Sequence, residues 1–234
     1  MTDDNSNRFG LGRRPVLGGL AGAVATGAVG TAAASRQQHD GSTADTIQDD
    51  SAAGPPDAVP NEFENDFEII NYALTLEYLE AEFYTRGIQN IDDAALEQQF
   101  EGWGPIQERV ADRLRVVRDH ERTHVEVLEQ SLETLGGDPI ERPTFDFGTA
   151  VQESAEFIAT AATLEDIGVS AYAGAAPFLD MAELVPPALS IHSVEARHAS
   201  FLRELNGESG FPMAFDQPRS RSEVLELAGD FIVE

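Results

Sequence analysis

The chain has 234 residues, of which 42 are acidic and 15 are basic, and its formal net charge at pH 7 is −27. It contains no cysteine and no lysine, which excludes disulfides, thiolate metal sites, cysteine nucleophiles, the P-loop lysine and Schiff-base chemistry. A metal site would therefore have to use Asp, Glu and His. So negative a chain does not bind a nucleic-acid backbone unaided, because phosphates require clusters of Arg and Lys. Large self-repelling charge is used by halophilic proteins, so we expect a high-salt habitat.

Residues 1–34 have the pattern of an export signal. Arg13 and Arg14 precede a Gly/Ala-rich apolar run that ends in Ala32-Ala33-Ala34, the small residues of a signal-peptidase site. The segment resembles a twin-arginine signal, which implies export to the cell surface or the extracellular space. The alternative is an uncleaved segment that tethers the protein to the membrane.

Residues 35–61 are polar, contain Pro and Gly, and show no periodicity. Such a segment cannot bury a core, so we expect a disordered acidic linker. The folded domain is predicted to occupy residues 62–234, which is within the size range of one domain.

From Phe67 onward, apolar residues recur at alternating steps of three and four, as they do in amphipathic helices. Four stripes of this kind lie within residues 67–88, 110–135, 151–176 and 184–205. Helix-stop signals stand near their ends, at Gly87, Gly136, Pro177 and Gly207. Because no strand alternation competes, the sequence predicts an all-α fold with four long helices.

The connections favour one topology. Residues 137–147 look extended, and at ~3.3 Å per residue they could cover roughly 35 Å, about the length of a twenty-residue helix. We therefore expect one long crossover between the second and third helices, with an ordinary up-down loop as the alternative. Ser220 and Glu223 form a capping-box pattern, which predicts a short C-terminal fifth helix.

Each predicted stripe carries ionisable side chains at positions that should face the core. Together they are Glu77, Glu121, His124, Glu165, Glu195 and His198. Four carboxylates in a bundle core would repel one another and lose hydration, which costs several kcal/mol per ion unless something compensates. A pair of divalent cations compensates, since carboxylates and imidazoles are their ligands. The sequence therefore predicts a two-metal site.

The joint pattern is more specific than its parts. One Glu-x-x-His motif is a weak signal, although its spacing puts both side chains on one helix face. Here two such motifs alternate with two lone glutamates, all in register with the stripes. The halves also echo each other, since Tyr84 follows Glu77 by seven residues and Tyr172 follows Glu165 by seven.

With these motifs, residues 62–206 resemble the ferritin-like di-iron carboxylate superfamily. The segment from Asn71 to Tyr84 and the tail from Ala214 to Leu225 resemble its exported, desiccation-related branch. The resemblance implies a ferritin-like four-helix bundle. It also implies that Glu77 and Glu165 are lone carboxylate ligands and that each Glu-x-x-His motif is a ligand pair.

The resemblance further implies two iron ions that react with oxygen or hydrogen peroxide, in iron oxidation or peroxide scavenging during stress. Tyr84 and Tyr172 would then bond the ligand carboxylates or relay electrons; otherwise they are ordinary core tyrosines. One alternative is a dimanganese, catalase-like enzyme with the same ligands. Another is a non-enzymatic stress protein whose metal site is structural or vestigial.

The chain departs from several ferritin-like relatives next to the motifs. An Asp that precedes each paired Glu and orients the opposite His is replaced here by His120 and Val194. Asp119 or Asp166 could substitute for it. His120 is expected on the surface. Glu80 is expected at a solvated helix edge, with a ligand role as its alternative.

Overall fold

The computed structural model describes residues 55–233, so the predicted signal and most of the predicted linker lie outside the described residues. The helices are α1 (Asp66–Asn90), α2 (Asp93–Gln99), α3 (Val110–Leu135), α4 (Ser154–Ala175), α5 (Val185–Leu205) and α6 (Arg221–Ala228). Two short antiparallel strands are β1 (Thr144–Phe145) and β2 (Ile232–Val233). The predicted all-α fold with four long helices is confirmed. Within residues 55–233, no helix has the length and apolarity that crossing a membrane requires.

Cross-helix hydrogen bonds give the directions of α1 and α4. The Tyr84 hydroxyl donates to Glu165, and the Tyr172 hydroxyl donates to Glu77. Later residues of α1 therefore meet earlier residues of α4, so the two helices are antiparallel.

The α1 and α3 helices are antiparallel as well. Asn71, near the start of α1, donates to the carbonyl of Asp138 beyond the end of α3, and Arg122 of α3 donates to Thr85. Because α3 and α4 both oppose α1, they run in the same direction, and the chain between them must return along the bundle. The predicted crossover is confirmed. Strand β1 lies within it and pairs with β2.

Most predicted helix boundaries agree with the structure. Gly136 ends α3 in a left-handed conformation with φ of +83°, which glycine adopts without steric cost. Pro186 and Pro187 lie in the first turn of α5. Ser220 and Glu223 form a reciprocal capping box at the start of α6.

The predicted helix stop at Gly87 is wrong, because α1 continues through it to Asn90. This glycine permits a close approach of helices. A Cβ atom there would lie 2.1 Å from Cε2 of Phe157 in α4. The short α2 was not among the predicted helices. Leu96 is its buried residue, and one apolar side chain forms no stripe.

Candidate metal centre

The four long helices bring all six predicted ligands together inside the bundle. One helix, α1, supplies Glu77, and α3 supplies Glu121 and His124 one turn apart. The other pair of helices supplies Glu165 from α4, and Glu195 with His198 from α5. All six residues are buried, and the four glutamates are 0% exposed.

A first group of side chains surrounds the His124 ring. Its Nδ1 lies 3.0 Å from Glu121 Oε2, 3.0 Å from Glu195 Oε1 and 3.2 Å from Glu77 Oε2. One ligand atom from each of the four residues falls within 4.8 Å of the others, so the group could hold a metal ion.

A second group surrounds the His198 ring. Its Nδ1 lies 2.9 Å from Glu121 Oε1 and 3.3 Å from Glu165 Oε2. With Glu195, these residues again offer four ligand atoms within 4.8 Å of one another. Glu121 and Glu195 belong to both groups, so the two candidate positions share two carboxylates.

Several oxygen and nitrogen atoms of the cluster lack hydrogen-bond partners but are suited to binding cations. Glu121 Oε1, Glu165 Oε2, both carboxylate oxygens of Glu195 and Nδ1 of His198 are buried without a hydrogen-bond partner among the described residues. Several of these atoms are in short contact, but the contacts lack hydrogen-bond geometry. Leaving buried polar atoms unpaired is costly, whereas cations at the two positions would give them partners. Carboxylate and imidazole donors suit divalent iron and manganese.

Two tyrosines link the halves of the centre. Tyr84 donates to Oε1 of Glu165 at 2.5 Å, and Tyr172 donates to Oε1 of Glu77 at 2.6 Å. Each tyrosine therefore orients the lone glutamate of the opposite half. The repeated spacing between glutamate and tyrosine thus corresponds to a reciprocal pair of hydrogen bonds.

Glu80 is a fifth buried carboxylate, and the expectation of a solvated edge is wrong. It is 2% exposed. A Cβ atom on Gly168 of α4 would lie 3.2 Å from Glu80 Oε1 and 3.4 Å from Glu195 Oε2. The glycine therefore leaves room for both carboxylates. The signal was present in the sequence, because Glu80 follows Glu77 by three residues and so shares its helix face.

Burial and mutual repulsion favour protonation of the carboxylates. Burial raises the pKa of Glu77 to about 7, although the contact with His124 opposes the rise. Burial, followed by repulsion from Glu195, raises the pKa of Glu80 well above its usual range. Burial and repulsion from Glu121 do the same to the pKa of Glu195. Without cations, protons would neutralise part of this charge.

Glu121 favours its charged, deprotonated form, and the two imidazoles favour their charged, protonated form. Burial would raise the pKa of Glu121, but its contacts with His124 and His198 outweigh burial and lower the pKa to about 2. Burial would lower the pKa of His198, but Glu121 and Glu165 outweigh it and raise the pKa to about 10. Cations entering the cluster must therefore displace protons, so metal affinity should increase with pH.

His120 lies against the centre from outside. The residue is exposed, as expected, but its ring lies next to that of His198 with centroids 5.2 Å apart. Nδ1 of His120 lies 3.0 Å from Nε2 of His198.

The two aspartates considered as substitutes are engaged elsewhere. Asp119 pairs with Arg118 at 2.8 Å, and Asp166 pairs with Arg203 at 2.6 Å. Neither aspartate is hydrogen-bonded to His124 or His198 in the described part of the chain, so the considered substitution is not found. Which histidine meets His120 depends on how α3 packs against α5, and sequence spacing carries no signal for that.

The centre and the bundle agree with a comparison against known families. The profile of the ferritin-like domain family matches residues 65–208, which is more than half of the chain and spans all six predicted ligands. No curated protein matches this chain. The chain therefore belongs to the ferritin-like domain family.

Proposed function

We propose that this protein binds two iron ions between α1, α3, α4 and α5 and uses them in redox chemistry with oxygen or hydrogen peroxide. The observation that carries the proposal is the pair of four-residue groups that share Glu121 and Glu195. Two divalent cations would balance the four carboxylates of these groups. In this proposal the metal ligands are Glu77, Glu121, His124, Glu165, Glu195 and His198.

The chain's contribution is to bind the metal ions, to orient their ligands and to enclose the centre. Two ferrous ions held there would supply one electron each, which together with two protons would reduce hydrogen peroxide to water or oxygen to hydrogen peroxide. The bundle buries the ligands, which excludes bulk water and strengthens the electrostatic interactions within. Tyr84 and Tyr172 fix the lone glutamates, and their hydroxyl protons lie beside the centre.

The decisive test is anaerobic loading of the full chain with Fe²⁺, followed by metal analysis, anomalous scattering at the iron edge, and measured consumption of oxygen or peroxide. We expect two ions per chain at the six residues and oxidation when an oxidant is added. Glu121→Gln should lose bound iron and activity, because both groups share this residue. Glu126→Gln changes an exposed glutamate of the same helix and should retain both.

The same test separates the alternatives. The donor set also suits manganese, because the ligand types do not select strongly between the two metals. Two manganese ions, with oxygen evolved from peroxide in the absence of a reductant, would replace the iron proposal with a catalase-like enzyme. Bound metal with no reaction toward oxygen or peroxide would favour a structural site in a stress protein. No metal at these residues would overturn both enzyme proposals.

We further propose that the protein is exported by a twin-arginine route and acts outside the cell in stress protection, as in the desiccation-related branch that it resembles. The support is the sequence of residues 1–34, which lie outside the described residues. Mass spectrometry of protein secreted by a halophilic host should find a chain that begins after Ala34. Replacing Arg13 and Arg14 by Lys should retain the precursor inside the cell. Equal secretion of that variant would contradict the proposed route.

A further inference from the structure

The two ligand histidines have different surroundings on the sides of their rings that face away from the carboxylates. Nε2 of His198 lies 3.0 Å from Nδ1 of His120, and the planes of the two rings are 17° apart. Within residues 55–233, the hydrogen bonds of His124 involve only its Nδ1. Among the described residues, therefore, His198 has a hydrogen-bonding partner on the side of its ring away from the carboxylates, and His124 has none there.

This contact determines which form of His198 the site presents. A nitrogen that binds a cation must carry a lone pair, and Nδ1 is the nitrogen that faces Glu121 and Glu165. The ring hydrogen then resides on Nε2, where Nδ1 of His120 can accept it. A partner of this kind fixes the tautomer and ring orientation of a ligand and raises its basicity.

The corresponding position in the other half of the sequence is Val194, whose side chain has no hydrogen-bonding group. The two halves therefore carry equivalent ligands but unequal support. A cation in the second group would bind an imidazole, His198, whose orientation is already fixed. A cation in the first group would bind His124, whose ring orientation is less constrained.

We propose that His120 is a positioning residue for His198, and that it makes the metal position formed by Glu121, Glu165, Glu195 and His198 bind more tightly than the other. This inference rests on the proposed two-metal function. It concerns the inequality of the two positions, which the ligand set alone does not predict.

The experiment is a calorimetric titration of the metal-free full chain with Mn²⁺ alone, at about 1 M KCl, where a Debye length of about 3 Å suppresses binding to the acidic surface. We expect two binding steps of different affinity. His120→Val should weaken the tighter step by about 10–100-fold, the usual effect of losing the partner of a ligand histidine, and leave the other step unchanged.

Two substitutions separate positioning from packing. His120→Asn keeps an acceptor close to the ring and should restore much of the tighter step, and His120→Asp should restore it at least as well. A loss caused by packing alone would not be rescued by these smaller side chains. Val116→Ala, at an exposed position one turn earlier in α3, should change neither step.

A double-mutant cycle locates the effect. In a His198→Ala background His120→Val should have no further effect, whereas in a His124→Ala background its full effect should persist. Low-temperature EPR of bound Mn²⁺ supplies an independent readout, and circular dichroism checks that each variant is folded. An equal effect of His120→Val in both backgrounds, or none in the wild-type chain, overturns this inference but leaves the two-metal proposal intact. A wild-type chain that binds no Mn²⁺ at these residues overturns the two-metal proposal itself.

Discussion

Two buried tyrosine hydroxyls, those of Tyr84 and Tyr72, differ in whether they form a hydrogen bond. The Tyr84 hydroxyl donates to Glu165, whose other oxygen is buried without a hydrogen-bond partner in the described chain. The Tyr72 hydroxyl is also buried but has no such partner. Tyr84 and Tyr72 can therefore be compared directly, since each loses one buried hydroxyl on substitution by Phe.

We predict that Tyr84→Phe destabilises the metal-free protein by about 1–3 kcal/mol, because it leaves a buried carboxylate oxygen unpaired. Tyr72→Phe should be neutral or slightly stabilising, because it removes a buried hydroxyl that bonds nothing. Urea unfolding in the presence of a chelator measures both. Equal losses in the two variants would show that the Tyr84–Glu165 bond contributes no more than packing does.

The protonation of the cluster gives a second prediction. The pKa of Glu77 is raised to about 7 by burial, so the folded chain holds more protons than the unfolded chain between about pH 4.5 and pH 7. Stability from this group is complete below that window and is lost as the pH rises through it. The raised pKa of His198, about 10, has the same sign at higher pH. The lowered pKa of Glu121 acts oppositely below about pH 4.5, and the pKa values of His120 and His192, which burial lowers, act oppositely below about pH 6.5.

We therefore predict that the metal-free protein is less stable at about pH 8 than at about pH 5, as measured by urea unfolding at about 1 M KCl to screen surface charge. Glu77→Gln should flatten the slope between about pH 5 and pH 7, since its amide does not titrate. Glu126→Gln, at the exposed position on α3, should retain the slope. Stability that increases toward pH 8 would contradict the assigned protonation.

At the residue scale, sequence reasoning identified the members of the buried Glu/His cluster better than the residues around it. The six predicted ligands interrupt apolar stripes, and such interruptions are visible in a sequence. Glu80 shared the Glu77 helix face and was identifiable by its spacing. The contact between His120 and His198 joins α3 to α5 and depends on how helices far apart in sequence are rotated against each other.

At the scale of elements, the contact of α1 with α4 depends on Gly87. Phe157 occupies the space where a side chain at this position would start, and it stacks on Phe83 with ring centroids 5.0 Å apart. A glycine inside a helix costs about 1 kcal/mol relative to alanine, so its presence there indicates a packing requirement.

We predict that Gly87→Ala destabilises the protein by about 1–3 kcal/mol through overpacking, despite the better helix propensity of alanine. Gly229→Ala is the control, because that glycine has an ordinary helical conformation and no atom within 4 Å of the added Cβ. Thermal unfolding compares them. Adding Phe157→Leu to Gly87→Ala should recover part of the loss, whereas additive losses would place its cause elsewhere.

Element prediction succeeded where the periodic signal was long and failed where local signals were read without tertiary context. The four long stripes located α1, α3, α4 and α5. The crossover was predictable because its extended length matched that of a helix. Gly87 carried the local signal of a helix end, but the nearby aromatic ring that explains it belongs to α4. The short α2 has one buried residue and therefore had no periodicity to detect.

At the scale of the whole molecule, the formal charge of −27 has two components with different consequences. A buried part, the five glutamates of the centre, is neutralised by imidazolium groups, protons or cations. The much larger part is surface charge, whose self-repulsion favours expansion of the chain. Salt screens exposed charges and has far less effect on buried ones.

We predict that the metal-free protein gains stability as KCl is raised from about 0.1 M to about 1 M, where the Debye length falls from about 10 Å to about 3 Å. The rise should flatten beyond that concentration, because screening is then nearly complete. Urea unfolding at constant pH with a chelator measures the effect, and the chelator removes any contribution from bound metal. A linear gain that continues well above this concentration would indicate general salting-out. A loss of stability with added salt would mean that attractive ion pairs, such as Arg203 with Asp166, outweigh repulsion and that the acidic surface is no adaptation to salt.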